Sequence, residues 1–307
     1  MLRLGLCCLF KKAPIRFRSA TAKFVKELDR PRQLARLDKL CLDNARALVA
    51  AIEEIHKLGI GAFRVSSPLL PLYTHPEVGY RLEELPNGEE ITETLSSVKA
   101  LKEKYHIRLS FHPDQFTLLS SPRPEVTAAS LKELDYQAML ASLIGADVIN
   151  IHGGGVYGDK SSTLLRLMEQ VSALPEPIRS RLTLENDDHS YTIKDLFPVC
   201  EKLSIPLVYD VHHHRCNPDG LTINEATETC IQIWRQLGRE PHFHISSPKF
   251  GWQGKPKPHA DFINIEDFPV EWRHIDATID VEAKAKELAV LKLRKELVLP
   301  HWCSAGD

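Results

Sequence analysis

The sequence predicts a single-domain α/β protein, a (β/α)8 TIM barrel. Short apolar segments bounded by turn residues alternate with longer segments of helical apolar spacing throughout the 307 residues. Strict alternation of this kind indicates a parallel sheet with right-handed crossovers. Eight such units in a chain of this length favour a closed barrel over an open doubly wound sheet. No Gly-x-Gly-x-x-Gly motif follows the first strand, so we expect no nucleotide cofactor.

The apolar spacing divides the chain into strands and helices in regular order. The predicted strands are residues 2–8, 62–66, 107–111, 147–151, 182–185, 206–210, 242–246 and 273–279. The predicted helices are residues 32–57, 90–104, 124–144, 160–174, 192–203, 222–237 and 281–297. The first of these helices has the clearest apolar stripe, and Gly59 follows it as a stop signal. We therefore expect a barrel domain over residues 1–297 and a C-terminal tail over residues 298–307.

Composition and cysteine content exclude several classes of protein. The 39 Lys and Arg residues are balanced by 41 Asp and Glu residues, so any affinity for nucleic acid must come from a local patch. The seven cysteines include no Cys-x-x-Cys pair, which argues against a disulfide scaffold. The apolar residues 4–10 are too few to cross a membrane, and no signal-cleavage site follows them. We expect a reduced, cytoplasmic protein that does not associate with a membrane.

Histidines and carboxylates cluster just beyond the predicted strand ends. A single histidine among the 14 in the chain would usually be a hydrogen-bonded core or surface group. The carboxyl ends of all strands of a barrel meet at one rim, however, and uncompensated charges buried there would be costly. The rim residues are His75, His112, His152, Glu185, Asp210, His213, His242, His244, His259 and Glu282. Such a mixed set of imidazoles and carboxylates predicts more than one divalent ion, with Mn, Zn or Fe favoured over Ca or Mg.

A group of divalent ions favours phosphodiester hydrolysis, because each ion can polarise a phosphoryl oxygen and activate water. Glu185 is the best candidate to bridge two ions, since a carboxylate can offer one oxygen to each. Together with Asp210 and His244 it forms the predicted catalytic group. Asp187 and Asp188 have an alternative role as caps before Tyr191, and Gly153–Gly155 could be a turn or a phosphate contact.

Several segments near the predicted rim suit a nucleic-acid strand. Residues 11–46 carry eleven basic and four acidic residues, although the helical part of this segment also fits a solvated helix face. Gln115 and Phe116 pair an amide with a ring that can fill a gap in a base stack, and the segment around Trp252 offers a similar ring. Each of these two rings could equally pack within its own loop. The predicted DNA-binding residues are Arg16, Arg18, Gln115, Phe116, Lys160, Lys249 and Trp252.

Taken together, these segments resemble the UV damage endonucleases, metal-dependent (β/α)8 barrels related to the xylose-isomerase-like and apurinic endonuclease barrels. The matching segments span about residues 64–293 and read FRVSSPLLPLYTH, FHPDQF, NIHGGGVYGDK, LENDD, YDVHHHRCNP, FHISSPK, HADFI and VEAKAKELAVLKL. The resemblance implies incision of damaged double-stranded DNA immediately 5′ to cyclobutane pyrimidine dimers and 6-4 photoproducts, leaving a 3′ hydroxyl. It also implies two or three ions, with Mn expected and Mg, Co or Zn possible.

Carried onto this chain, the resemblance assigns roles to the rim residues. The implied metal ligands are His75, His112, His152, Glu185, Asp210, His213, His244, His259 and Glu282. Gln115 and Phe116 fall where the family uses Gln-Tyr to probe the bases opposite a flipped lesion. Phe116 keeps the stacking ring and lacks the hydroxyl.

Two departures from the family pattern are visible, and two other functions remain open. Leu6 and Phe10 stand where the family usually has Tyr and Asn, and His242 stands where it commonly has a lysine that bridges metals when carboxylated. An imidazole cannot bridge as a carbamate does, so we expect the number or spacing of ions to differ.

The alternative functions are a metal-dependent sugar isomerase or epimerase and a non-catalytic DNA or metal binder. The basic first loop and the Gln-Phe pair favour a DNA endonuclease over the sugar enzyme. We expect the protein to be a monomer.

Overall fold

A computed structural model describes residues 1–302 and confirms the predicted barrel. Eight parallel strands close in sequence order, so that β1 pairs with both β2 and β8. The strands are β1 (Arg3–Cys7), β2 (Ala62–Val65), β3 (Arg108–Phe111), β4 (Val148–His152), β5 (Leu182–Glu185), β6 (Leu207–Asp210), β7 (His242–Ile245) and β8 (Thr278–Val281). Almost every strand residue is buried, as expected where side chains fill the barrel on one face and meet helices on the other.

Helices connect successive strands around the outside of the barrel. The α-helices are α1 (Ala22–Lys26), α2 (Arg30–Lys57), α3 (Gly88–Lys104), α4 (Pro124–Ile144), α5 (Lys160–Ser172), α6 (Glu176–Arg179), α7 (Ile193–Leu203), α8 (Val211–Cys216), α9 (Ile223–Gln236) and α10 (Glu287–Glu296). Short 3-10 helices cover Leu82–Glu84, Ile265–Asp267 and Val270–His274.

The long helix α2 shows why the predicted stripe forms a helix. Its N-cap is Asp29, whose side chain accepts a hydrogen bond from the Arg32 N–H, and Pro31 occupies the first turn. The apolar stripe of the helix, including Leu48 and Ile52, is buried in the core. Gly59 follows with a φ of 64°, a left-handed conformation that glycine adopts readily, and it ends the element as expected.

The predicted first residues of the last strand and of the last helix were wrong. Residues 270–274 form a 3-10 helix after Pro269, and Trp272 within it is fully buried, with its indole N–H donating to Thr227 Oγ1 at 2.8 Å. Strand β8 consequently begins at Thr278 rather than at residue 273. Helix α10 begins at Glu287 rather than at residue 281, after a turn that includes Lys286 at a φ of 55°. The Ala, Glu and Lys residues of this segment are strong helix formers, so composition alone extended the predicted helix too far.

Charged pairs line the amino ends of the strands, opposite the rim. Arg108 donates to the Asp147 carboxylate at 2.8 Å, and Arg3 donates to the Glu240 carboxylate at 3.2 Å. Within the predicted tail, the ring of Trp302 lies 4.1 Å from the Arg3 guanidinium, while Cys303 and the rest of that tail lie outside the described residues. Between residues 1 and 302, no helix combines the length and apolar character that crossing a membrane would need.

Candidate metal centre

The strand register places the predicted ligands side by side at the carboxyl rim. His152 ends β4 and pairs with Glu185, which ends β5. Asp210 ends β6 and pairs with His244 of β7, and His244 in turn pairs with Asp280 of β8. Parallel neighbours in register lie at the same height, so these side chains project into one space. The loop after β3 adds His112, and helix α8, which follows β6 directly, adds His213.

Glu185 lies at the centre of this space. Its Oε1 lies 3.3 Å from His213 Nδ1 and 3.1 Å from His244 Nδ1, and its Oε2 lies 3.1 Å from His112 Nε2. Asn150 Nδ2 also donates a hydrogen bond to Oε2. The side chain is buried. Each carboxylate oxygen therefore faces different imidazoles, the arrangement expected of a bridging ligand.

The surrounding charges shift the pKa values in different directions. Burial alone would raise the pKa of Glu185, but His244 and His152 lower it well below its usual value. Burial lowers the pKa of His152, which keeps this ring neutral. Burial would also lower the pKa of His213, yet Asp210 and Glu185 raise it well above its usual value. Glu185 is thus ionised and His152 neutral, the forms that bind metal, whereas His213 would release a proton to an ion that binds there.

Four groups of side chains have ligand atoms close enough to share an ion. Within each group the atoms lie within 4.8 Å of one another. The groups are His112–His152–Glu185, Glu185–Asp210–His213, Asp210–His244–Glu282 and His242–His244–Asp280. Several of their buried atoms have no hydrogen-bond partner, including His152 Nδ1, Glu185 Oε1 and Asp210 Oδ2. Buried polar atoms of this kind normally have partners, so the donor set fits divalent cations.

Two of the predicted ligands lie outside these groups. Among the described residues, His75 joins none of the four, and its Nδ1 accepts hydrogen bonds from the backbone N–H groups of Glu77 and Val78 at 3.1 and 3.3 Å. His259 is also absent from the four groups, although its Nδ1 lies 3.6 Å from Glu282 Oε2. The structure therefore brings His259 to the edge of the centre and leaves His75 apart from the four groups.

Sequence reasoning missed three residues that contact the ligands. Asp280 lies two residues before Glu282, and Asn150 lies two residues before His152, so each shares a strand face with a predicted ligand. Arg64 of β2 donates to both Asp280 and Glu282. A period-two search along each strand would have found Asp280 and Asn150. Nothing in the sequence distinguishes Arg64 from an outward-facing arginine.

The acidic residues after β5 are structural. Asp187 accepts hydrogen bonds from the backbone N–H groups of His189, Ser190 and Tyr191 in the loop before α7. The N-cap of α7 is Thr192, so the expected helix-capping role was wrong. Asp188 forms an ion pair with Lys257 at 3.1 Å. These contacts order the loop beside the centre.

The predicted DNA-binding residues differ in their exposure. Phe116 is 71% exposed and Gln115 is exposed beside it, in a turn that Asp114 holds by accepting from the Phe116 N–H at 2.8 Å. Trp252 is partly exposed, and its indole N–H donates to Asp267 Oδ1 at 2.8 Å. Both aromatics follow strand ends on the rim side.

The basic members of that set are less uniform. Arg16 and Arg18 are exposed in the loop after β1, and the Arg16 guanidinium donates to the carbonyls of its own loop. Lys160 pairs with Asp195 at 2.7 Å, and Lys249 lies 5.2 Å from the ring centre of Phe250. Arg16, Arg18 and Lys249 are therefore open to solvent, whereas Lys160 already has an anionic partner.

Comparison with known proteins decides the family. The sequence matches the family model for UV-endonuclease UvdE over residues 2–301. The chain belongs to the UvdE family. A relative from Bacillus velezensis named UV DNA damage endonuclease is 38% identical over 274 residues, covering 85% of this chain and 83% of the relative. The family confirms the resemblance drawn from the sequence motifs.

Solved structures agree with this assignment. The crystal structure of SacUVDE superposes with a TM-score of 0.85 at 29% identity, covering 97% of this chain and 98% of that chain. A D-psicose 3-epimerase from Clostridium cellulolyticum H10 superposes with a TM-score of 0.54 at 12% identity, covering 96% of both chains. At that identity the epimerase shares only the fold, so the UvdE relationship is the one that bears on function.

Proposed function

We propose that the protein is a metal-dependent endonuclease that incises damaged double-stranded DNA immediately 5′ to UV photoproducts. The buried carboxylate of Glu185, ringed by three imidazoles at 3.1–3.3 Å, is the observation that carries the metal dependence. UvdE membership supports the DNA substrate and the hydrolytic class. We further propose two or three ions, with Mn²⁺ as the expected metal and Mg²⁺, Co²⁺ or Zn²⁺ as alternatives.

The side chains of the centre would hold the ions that orient the reacting phosphate. His112, His152 and Glu185 would hold one ion, and Glu185, Asp210 and His213 a second. Bound ions would polarise the phosphoryl oxygen, activate water and stabilise charge on the departing 3′ oxygen. Asn150 fixes the orientation of Glu185 through its hydrogen bond, which is backed by the Thr183 hydroxyl donating to Asn150 Oδ1 at 2.8 Å.

The DNA strand would run over the exposed residues of the rim. Phe116 would stack in the gap left by a flipped lesion, with Gln115 reaching the opposite bases. Arg16, Arg18 and Lys249 would neutralise backbone phosphates. Lys160 would join them only if its pair with Asp195 opens. We propose a monomeric enzyme located in the cytoplasm. The six cysteines among residues 1–302 are all free thiols, which is consistent with a reducing compartment.

The direct test is plasmid nicking. UV-irradiated supercoiled plasmid incubated with the protein and Mn²⁺ should relax, while the same plasmid without irradiation should stay supercoiled. Equal nicking of both plasmids would refute damage recognition. No nicking of either plasmid in Mn²⁺, Mg²⁺, Co²⁺ or Zn²⁺ would refute the nuclease.

A matched pair of variants tests the stacking role. Phe116→Ala should reduce lesion-dependent nicking by roughly 5- to 150-fold, because stacking on a base contributes about 1–3 kcal/mol. Leu165→Ala removes another exposed apolar side chain, on α5, and should leave nicking unchanged. Equal activity in the two variants would show that Phe116 does not contact the bases.

A further inference from the structure

Arg64 lies inside the ligand cluster rather than at its edge. It belongs to β2, and only 7% of its surface is exposed. Its Nε donates to Asp280 Oδ2 at 2.9 Å, its Nη1 donates to Glu282 Oε1 at 2.6 Å, and its Nη2 lies 2.8 Å from His244 Nε2. One guanidinium therefore contacts ligand atoms on β7, on β8 and in the residue after β8.

The same guanidinium faces the group His242–His244–Asp280, which has the composition of a metal site. Asp280 Oδ2 lies 3.1 Å from His242 Nε2 and 3.8 Å from His244 Nε2. All three side chains are buried, and neither His242 nitrogen nor Asp280 Oδ1 has a hydrogen-bond partner. Two imidazoles and a carboxylate at this spacing would suit Zn²⁺ or Mn²⁺.

We propose that the Arg64 guanidinium is the cation of this group and takes the place of a metal ion there. An ion bound to Asp280 Oδ2 and His244 Nε2 would lie about 2.0–2.2 Å from each atom. Arg64 nitrogens already lie 2.9 and 2.8 Å from those two atoms. Ion and guanidinium would therefore compete for the same volume and repel each other.

Charge balance supports a resident arginine. Asp280 and Glu282 are two carboxylates that would be costly to bury without a cation, and the planar fork of Arg64 reaches both. The other oxygen of Glu282 faces His259 and stays available to the neighbouring ions. Arg64 thus compensates the charge of Asp280, while Glu282 keeps one oxygen available to the ions of the centre.

Gly5 of β1 leaves room for the carboxylate that binds Arg64. A Cβ at this position would overlap Asp280 Oδ1, so a glycine is needed for the carboxylate to take its place between β1 and β7. Asp280 Oδ1 therefore has room beside β1, while Oδ2 accepts the hydrogen bond from Arg64. This inference rests on the proposed metal dependence of the Glu185 groups, and it predicts that His242 and Asp280 add no ion to them.

Metal stoichiometry tests the assignment. The full-length protein, Arg64→Met, Asp280→Asn and the double variant are each saturated with Mn²⁺ or Zn²⁺, freed of unbound metal and measured by mass spectrometry of the metal. Arg64→Met keeps the length of the side chain without its charge and should bind one equivalent more than the unmodified protein. Asp280→Asn should bind the same number as the unmodified protein, and the double variant should return to that number. Arg108→Met, which removes a buried arginine paired with Asp147 on the far side of the barrel, is the matched control and should change nothing.

Each outcome decides the question. Loss of one equivalent in Asp280→Asn would overturn the proposal, because Asp280 would then be a metal ligand in the native protein. An Arg64→Met variant that folds and gains no metal would overturn it too. If Arg64→Met does not fold, the Asp280→Asn count alone decides. An unmodified protein that binds metal and does not nick DNA would refute the proposed function and leave this inference standing.

Discussion

Replacing Glu185 by Gln should disable the metal centre while preserving its shape. The amide has one oxygen and one NH2 group, and an NH2 group does not bind metal ions. If the nitrogen takes the place of Oε2, it faces the Asn150 donor, and if it takes the place of Oε1, it faces His213 and His244. Glu185 is shared by the groups His112–His152–Glu185 and Glu185–Asp210–His213. In either orientation of the amide, one of these groups loses its oxygen ligand and the other keeps an oxygen that no longer carries negative charge.

The size of the effect follows from these two contacts. A charged contact contributes about 1.5–3 kcal/mol, so two weakened contacts amount to about 3–6 kcal/mol. This corresponds to roughly 10²- to 10⁴-fold weaker metal binding, at 1.4 kcal/mol for each factor of ten. Nicking should fall by a similar factor when the metal concentration is below saturation.

Calorimetric titration with Mn²⁺ measures the affinity directly, and the plasmid assay measures its consequence. Glu125→Gln makes the same chemical change at an exposed residue in the first turn of α4 and should match the unmodified protein. A Glu185→Gln protein that binds Mn²⁺ within tenfold of the unmodified protein would refute the bridging role.

Three further predictions concern the donor to Glu185, the Arg108–Asp147 ion pair and removal of the metal. Asn150→Ala removes the donor to Glu185 and should weaken Mn²⁺ binding by about 10- to 100-fold in the same titration, and an unchanged affinity would show that the hydrogen bond does not orient Glu185. Burial raises but Arg108 lowers the pKa of Asp147, to about 2, so its stabilising effect is full above about pH 4 and is lost as the pH falls toward 2. Because the Asp147 side chain is 45% exposed, we expect Asp147→Asn to lower the free energy of unfolding by only about 1 kcal/mol at pH 7. Urea titrations should show a smaller difference at pH 3. A difference that does not depend on pH would contradict this. Finally, dialysis against a chelator should abolish nicking and added Mn²⁺ should restore it, whereas full activity after chelation would rule out a metal-dependent reaction.

The sequence predicted the rim because strand ends have a clear signature. His152, Glu185 and Asp210 each terminate a short buried strand, and the parallel barrel brings such positions together whatever lies between them. His112 follows its strand directly and was placed correctly for the same reason. Residues fixed to strands inherit their position from the fold, so a correct fold class was enough to group them.

Residues on long loops or in the strand interior were harder to place. His75 lies ten residues beyond β2, and its position depends on local backbone contacts that the sequence does not reveal. Arg64 and Asp280 lie within strands, where inward and outward positions alternate and a charged residue is usually assumed to face out. Only the closure of the barrel, which puts β1 between β2 and β8, shows that Arg64 and Asp280 form a buried ion pair.

The charges inside the barrel are arranged in layers, and this arrangement explains how His242 can occupy its position. At the amino ends of the strands, Arg108 pairs with Asp147, so that layer is balanced without metal. In the middle layer, Arg64 and Asp280 balance each other, and Asp280 gives the His242 imidazole an anionic neighbour at 3.1 Å. The uppermost layer, around Glu185, has more carboxylate and imidazole ligands than fixed cations, so its charge balance favours bound metal ions. The proposed ions would therefore bind at the mouth of the barrel, which a DNA phosphate could reach, rather than in the interior.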